Sequence, residues 1–197
     1  MSTFWDEKYN TRRYIYGKKP NVFFAQELNK LIPGKLLLPA EGEGRNAIFA
    51  LQNNWEVVAF DTSAVARKKA ERFAKNENLS LYYQTTSHNN CKFENESFDV
   101  IALIYAHLNN FERRQMHQKY IKFLKPGGTI ILEAFSKAQI NNDTGGPGDL
   151  DSLYSSEELK IDFLTIGNLH CWEETIKLSE GKNHMGIANI VRLIGKK

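Results

Sequence analysis

An apolar run, Leu36-Leu37-Leu38-Pro39, passes straight into Ala40-Glu41-Gly42-Glu43-Gly44-Arg45-Asn46-Ala47, a glycine loop that opens a helix. No other stretch restricts the fold as strongly. Glycines at 42 and 44 let the backbone approach a ligand, and Ala47 permits close helix packing, so the segment fits the GxGxxG/A pattern of strand–loop–helix nucleotide sites. An ordinary strand-to-helix turn carries the same residues, so the surrounding chain has to decide between the two.

Downstream, short β-rich runs alternate with helical patterns, the order expected of a parallel sheet covered on both faces. Pro20 to Ile32, with Phe24, Leu28 and Leu31 at helical spacing, predicts a first covering helix. Strand one spans Lys35 to Leu38, the helix after the loop Asn46 to Gln52, and strand two Glu56 to Phe60. Ser63 caps a helix running to about Asn76, and Leu79 to Tyr83 and Phe98 to Tyr105 read as strands three and four. A charged amphipathic helix, Phe111 to Leu124, stops at Lys125-Pro126-Gly127-Gly128 and leads into strand five, Thr129 to Phe135. Ser136 to Tyr154 is a polar loop long enough to shape a site. Ser155-Ser156-Glu157-Glu158 offers a capping box for a last helix, and Leu169 to Leu178 with Gly186 to Ile194 forms a closing antiparallel pair.

This predicts an α/β, Rossmann-like, seven-stranded and mostly parallel sheet with a C-terminal antiparallel hairpin. The 197 residues suffice for a single domain. Its expected parts are an N-terminal lid and helix segment (1–33), a cofactor-binding core (34–135), and a substrate loop, last helix and hairpin (136–197).

Composition narrows the partners. The 26 basic and 23 acidic residues are scattered without a dense basic block, so nucleic acid is not suggested. Cys91 and Cys171 lack metal-ligand or pairing spacing, and no metal site is expected. No apolar segment approaches the roughly 20 residues of a membrane helix. The start, Met1 to Glu7, has no signal-like apolar run, and the expected location is cytoplasmic.

Asp61, about twenty residues beyond Gly42 and at the tip of strand two, is placed to accept both ribose hydroxyls of an adenosine. It also reads as a plain helix-entry residue before Ser63. Adenosine is common to nicotinamide dinucleotides and S-adenosylmethionine, so both cofactors stay open here. Tyr105 and His107 follow strand four at the carboxyl edge where open α/β sheets bind ligands. They are the catalytic candidates, with His107 either a proton acceptor near neutral pH or a loop histidine bonded to backbone. His184 sits in the hairpin turn Glu180-Gly181-Lys182-Asn183-His184 and reaches a substrate only if that turn folds over the site. His117, beside Arg113 and Arg114, reads as part of a solvated helix face, and His88 and His170 have no assigned role. The N-terminal cluster Phe4, Trp5, Tyr9, Tyr14 and Tyr16 with Arg12 and Arg13 is either a lid, a packed arm or an RNA contact. As a lid, Trp5, Tyr9 and Tyr16 enclose a cation while Arg13 pairs with a carboxylate.

Several ordered segments resemble the class I S-adenosylmethionine-dependent methyltransferases, in particular the tellurite-resistance and thiopurine methyltransferase-like branch. They are Glu41 to Asn46, Val57 to Ser63, Phe98-Asp99-Val100-Ile101, and Leu124 to Gly128 leading into Thr129 to Glu133. Trp5-Asp6-Glu7-Lys8-Tyr9 and Tyr16 to Asn21 are similar to the N-terminal segment of bacterial members. The resemblance implies S-adenosyl-L-methionine as cofactor, contacted by Glu41, Gly42, Glu43, Gly44, Asn46, Asp61, Thr62, Ser87 and Tyr105. It implies methyl transfer to a small acceptor, a soft sulfur, selenium or tellurium nucleophile. Leu38-Pro39 stands where many members carry an acid, so Glu41 or Glu43 either takes over the contact to the cofactor's amino group or is a solvated loop glutamate; Thr85-Thr86-Ser87-His88 stands where an acid often meets the adenine amine. A nicotinamide-dependent oxidoreductase, an RNA or protein methyltransferase and a non-catalytic adenosyl-binding regulator are the alternatives.

Overall fold

The computed structural model describes residues 3–181 and 184–197. The tip of the last turn, Lys182-Asn183, lies outside the described residues. A first helix, α1 (Thr3–Tyr9), was not expected from the sequence, and α2 (Val22–Leu28) is shorter than the Pro20 to Ile32 pattern. Asn21 sets its start, because the side-chain oxygen accepts the Phe24 N–H at 2.8 Å and satisfies one of the helix's free donors.

The main series follows as β1 (Lys35–Pro39), α3 (Arg45–Gln52), β2 (Glu56–Asp61), α4 (Ala64–Asn76), β3 (Tyr82–Thr85), β4 (Phe98–Ile104), α5 (Asn110–Phe123) and β5 (Leu124–Phe135). After a 3-10 turn at Lys137–Asn141 come α6 (Ser156–Asp162), β6 (Gly167–Ser179) and β7 (Met185–Lys196). The seven strands form one sheet in the order β3-β2-β1-β4-β5-β7-β6. Every pair from β3 to β5 is parallel, while β7 runs antiparallel to both β5 and β6. The expected mostly parallel sheet with its terminal hairpin is present. The order in which strands are added reverses between β1 and β4, and the carboxyl ends of these parallel neighbours open the crevice in which such sheets bind ligands.

Strand alternation builds two cores. Leu36, Leu38, Val57, Ala59, Val100 and Ala102 pack against α2 and α3 through Phe24, Leu28, Ala47 and Ala50. Leu37, Val58, Ile101 and Leu103 face the other way, towards Met116 and Tyr120 of α5 and Leu159 of α6. Period-two burial on both faces is what a sheet sandwiched by helices requires.

Three expectations shift. Strand three begins at Tyr82 rather than Leu79, because the Leu79 N–H closes the end of α4 on the Ala74 carbonyl at 2.9 Å. The Lys125-Pro126-Gly127-Gly128 turn lies within β5, bulging between Leu124, which pairs with Phe98, and Thr129, which pairs with Val100. His117 is buried, not solvated: its Nδ1 lies 2.9 Å from Asp162 Oδ2, and Arg113 Nε donates to the same oxygen at 2.7 Å. A helix face made of charged residues is buried when the opposing helix supplies the counter-charge, here from α6 onto α5. The predicted capping box at Ser155 and Glu158 starts α6.

Candidate functional site

The glycine loop leaves β1 through Ala40, which is left-handed at φ 52°. The Glu41 carboxylate turns back to accept the N–H groups of Asn46 at 2.9 Å and Ala47 at 2.8 Å, capping α3. Burial pushes its pKa up to about 7, against the pull of the Ala47 amide, Arg45 and the Asn46 amide. Gly42 is left-handed at φ 63°, and a Cβ there would meet the Tyr9 hydroxyl at 2.8 Å. Its N–H donates to Asp61 Oδ2 at 3.0 Å, while Asp61 Oδ1 accepts the Ser63 N–H at 2.8 Å. Burial raises the Asp61 pKa, and the amides of Ser63 and Gly42 oppose that shift. Gly44 has a different task. With φ at 90°, a Cβ on it would lie 2.8 Å from the Ala70 Cβ, so this glycine brings α3 and α4 together.

Glu43 and Asn46 are tied into the scaffold. Glu43 forms a buried ion pair with Lys69 and accepts the Ile15 N–H at 2.7 Å. The same ammonium donates to the carbonyls of Tyr9, Thr11 and Arg13 at 3.3, 3.0 and 2.6 Å, fastening the N-terminal segment to the loop. Asn46 Oδ1 accepts the Asn21 N–H at 2.9 Å.

These elements enclose a cavity of about 590 Å³ over the carboxyl ends of β1, β2, β4 and β5, within the few hundred to about 1,000 Å³ of small-molecule sites. Glu41, Gly42, Glu43, Asn46, Asp61 and Thr62 line one end. Rings line the other. Tyr105 is left-handed at φ 52°, which is rare for a bulky residue and marks a backbone held by its surroundings. Its ring lies 4.7 Å from those of both Phe135 and His184, and Tyr16 is 4.5 Å from His184. The hairpin therefore does fold over the cavity, and α1 brings Trp5 and Tyr9 to the same opening.

The histidines at the cavity are neutral in character. His107 has both nitrogens occupied: Nδ1 lies 2.8 Å from the Ser152 carbonyl, which only accepts, and Nε2 receives the Phe135 N–H at 3.1 Å. The tautomer is thereby fixed as Nδ1–H, and burial pushes the pKa down to about 4. His184 is also lowered by burial, although Glu180 lies 3.5 Å from its Nδ1 and pulls the other way. His88 is held near 4 by burial and packs against Tyr120.

Three predicted residues stand apart from the cavity: Gly44, which packs on Ala70, Arg13 and Ser87. Arg13 is exposed and contributes its backbone carbonyl, not its guanidinium. Ser87 starts a turn, its carbonyl accepting the Asn90 and Cys91 N–H groups, and the neighbouring Thr86 and His88 line the cavity instead. Lys8, Arg45 and Phe135 also line it and were not singled out from the sequence. For Arg45, position inside the glycine loop was the available signal. Its Nη2 donates to Glu180 at 2.8 Å.

Comparison with known proteins agrees with this geometry. Residues 39–128, from the end of β1 through the bulge of β5, match a family model described as a methyltransferase domain. No curated protein matches the chain. Among solved structures, a protein studied for conversion of a disulfide bond into a thioacetal group during echinomycin biosynthesis superposes with a TM-score of 0.77 at 16% identity, covering 98% of this chain and 90% of that one. TehB from Haemophilus influenzae gives 0.73 at 18% identity, covering 98% of this chain and 66% of TehB. A SAM-dependent methyltransferase from Methanosarcina mazei gives 0.69 at 16%, covering 90% and 98%. At such identities the likeness is one of fold, the Rossmann-like methyltransferase fold.

Proposed function

We infer that this chain, with its methyltransferase domain, is an enzyme whose cofactor is S-adenosyl-L-methionine, and that it methylates a small, soft acceptor of the sulfur, selenium or tellurium type. The cavity suits that cofactor. Asp61 uses one lone pair on each oxygen for an amide and keeps others for the ribose hydroxyls. Arg45 keeps N–H donors beyond the one given to Glu180 for a carboxylate. The ring faces of Tyr16, Tyr105, Phe135 and His184 offer an electron-rich wall to a sulfonium.

The cofactor supplies an electrophilic methyl group: as the acceptor's lone pair forms its bond to that carbon, the carbon–sulfonium bond breaks and its electron pair stays on a neutral thioether. What the protein adds is alignment, which in favourable cases contributes about 7–11 kcal/mol. The observation that carries the acceptor class is the state of His107. With both nitrogens bonded and its proton affinity depressed, it removes no proton from an acceptor. Glu41 and Asp61 both accept backbone amides in the glycine-loop half of the cavity, and Asp61 has its remaining lone pairs for the ribose. An acceptor that arrives already anionic, such as a thiolate or selenolate, needs no base, whereas an amine or alcohol does. Two structural neighbours fit: one serves a transformation at sulfur, and the other is TehB, in line with a place in the tellurite-resistance and thiopurine-like branch. Among the described residues no helix is long and apolar enough to cross a membrane, and both cysteines are free, which fits a cytoplasmic setting.

S-adenosylhomocysteine should raise the melting temperature and NAD should not. With labelled cofactor, thiols and selenols should be methylated, and kcat/KM should follow thiol ionisation with no inflection near pH 6.5. Methylation of amines in preference to thiols would overturn the acceptor assignment, and stabilisation by NAD alone would overturn the cofactor.

A further inference from the structure

The ring-lined end of the cavity contains a cation that the fold does not neutralise. Lys8, on the last turn of α1, holds its ammonium 4.6 Å from the Trp5 ring centroid, 5.6 Å from Tyr16 and 5.9 Å from Phe4. Among the described residues no carboxylate pairs with it. The other cation lining the cavity, Arg45, is paired with Glu180 at 2.8 Å, and Lys69 behind the loop is paired with Glu43. The lining carboxylates, Glu41, Glu43 and Asp61, are already engaged by backbone amides and by Lys69. Tyr16, one of the rings Lys8 faces, lies 4.5 Å from His184, and the carboxylate beside His184, Glu180, is the one paired with Arg45. Ring faces attract an ammonium but leave its full charge available. Partly enclosed by apolar walls, that charge acts at a lower effective dielectric than in water.

We propose that Lys8 selects the acceptor: its ammonium receives a negatively charged group, a carboxylate or similar oxyanion, on a small molecule whose body lies against the rings. The inference rests on the methyl-transfer reading above and deepens it, from a soft acceptor to a soft acceptor that also carries an anionic handle. The same ammonium chemistry suits the cofactor's own methionine carboxylate. Arg45, projecting from the first turn of α3, is better placed for that group, because it leaves the glycine loop itself.

The test separates the two sources. Calorimetry on the full chain loaded with S-adenosylhomocysteine would compare 3-(methylthio)propionate with 3-(methylthio)propan-1-ol, a matched pair differing in the anionic group. The wild type should prefer the carboxylate, Lys8→Met should lower that preference at least tenfold, and Lys8→Arg should retain it. An equal preference in wild type and Lys8→Met would overturn the inference. So would a tenfold loss of S-adenosylhomocysteine affinity in Lys8→Met with the preference intact, which assigns the charge to the cofactor. Turnover of the parent thiols, 3-mercaptopropionate and 3-mercaptopropan-1-ol, is read separately. Lys8-dependent binding without turnover of either thiol counts against sulfur as the acceptor while supporting the anion site.

Discussion

At the Asp61 end of the cavity, three carboxylates are held by backbone amides and a buried lysine. At the Tyr105 end, the wall is made of rings drawn from four distant segments, Tyr16, Tyr105, Phe135 and His184. The first end is a continuation of secondary structure. Its geometry is fixed by the turn out of β1, the caps of α3 and α4, and the contact of Gly44 with Ala70. The second end depends on side chains meeting across the molecule, as Tyr16 of the segment after α1 meets His184 of the hairpin turn. One end is therefore suited to hold an invariant cofactor, and the other to be tuned to an acceptor.

Breaking the first end should cost most. Gly44→Val combines a left-handed backbone with a Cβ inside contact distance of Ala70, and roughly 4 kcal/mol of stability should be lost in urea denaturation. An unchanged midpoint would mean that α3 and α4 are not pressed together there. Asp61→Ala should weaken S-adenosylhomocysteine binding roughly 100-fold by calorimetry, since two charge-assisted amide bonds and the ribose contacts go together. Unaltered affinity would remove Asp61 from the site.

Glu41→Gln tests the same end through pH. The folded pKa of Glu41, about 7, lies above its usual 4.5, so the folded chain binds the proton more tightly than the unfolded chain. Its contribution is intact below pH 4.5 and is lost as pH rises through 7. Glutamine keeps an oxygen for the Asn46 and Ala47 amides without ever ionising. The variant should therefore gain stability relative to wild type between pH 5 and pH 8, by roughly 2–3 kcal/mol. A constant difference across that range would show that Glu41 stays ionised in the fold.

At the ring end, effects should be smaller and of another kind. Tyr16→Leu removes one ring from the wall over His184 and should raise the acceptor KM roughly fivefold. Cofactor affinity that fell as steeply would erase the distinction between the two ends.

The glycine loop, Asp61, the order of strands and the capping box at Ser155 were all legible in the chain. Each is decided within a few residues, by alternation, by a cap or by a backbone conformation open to glycine. Even there the reading of Gly44 needed the fold, because its neighbour Ala70 arrives from the next helix. Local signals failed where a residue's partner comes from far away. For His107 the sequence left a proton acceptor and a bonded loop histidine both open, and Ser152 and the Phe135 amide, which occupy its nitrogens, favour the second. His117 looked solvated until Asp162 of α6 closed on it. Arg13 looked like the cation of the lid, but the carbonyls of its own segment are clamped by Lys69, and Lys8 and Arg45 reach the cavity instead.

The sequence by itself determined the sheet, its crevice and the glycine-loop end of the cavity, since periodicity and turn chemistry act over a few residues. Only the tertiary structure decided which histidines are committed, which cations line the cavity and that the hairpin folds over it. Those facts depend on which buried face meets which, and on contacts such as Tyr16 with His184 that lie more than a hundred residues apart along the chain.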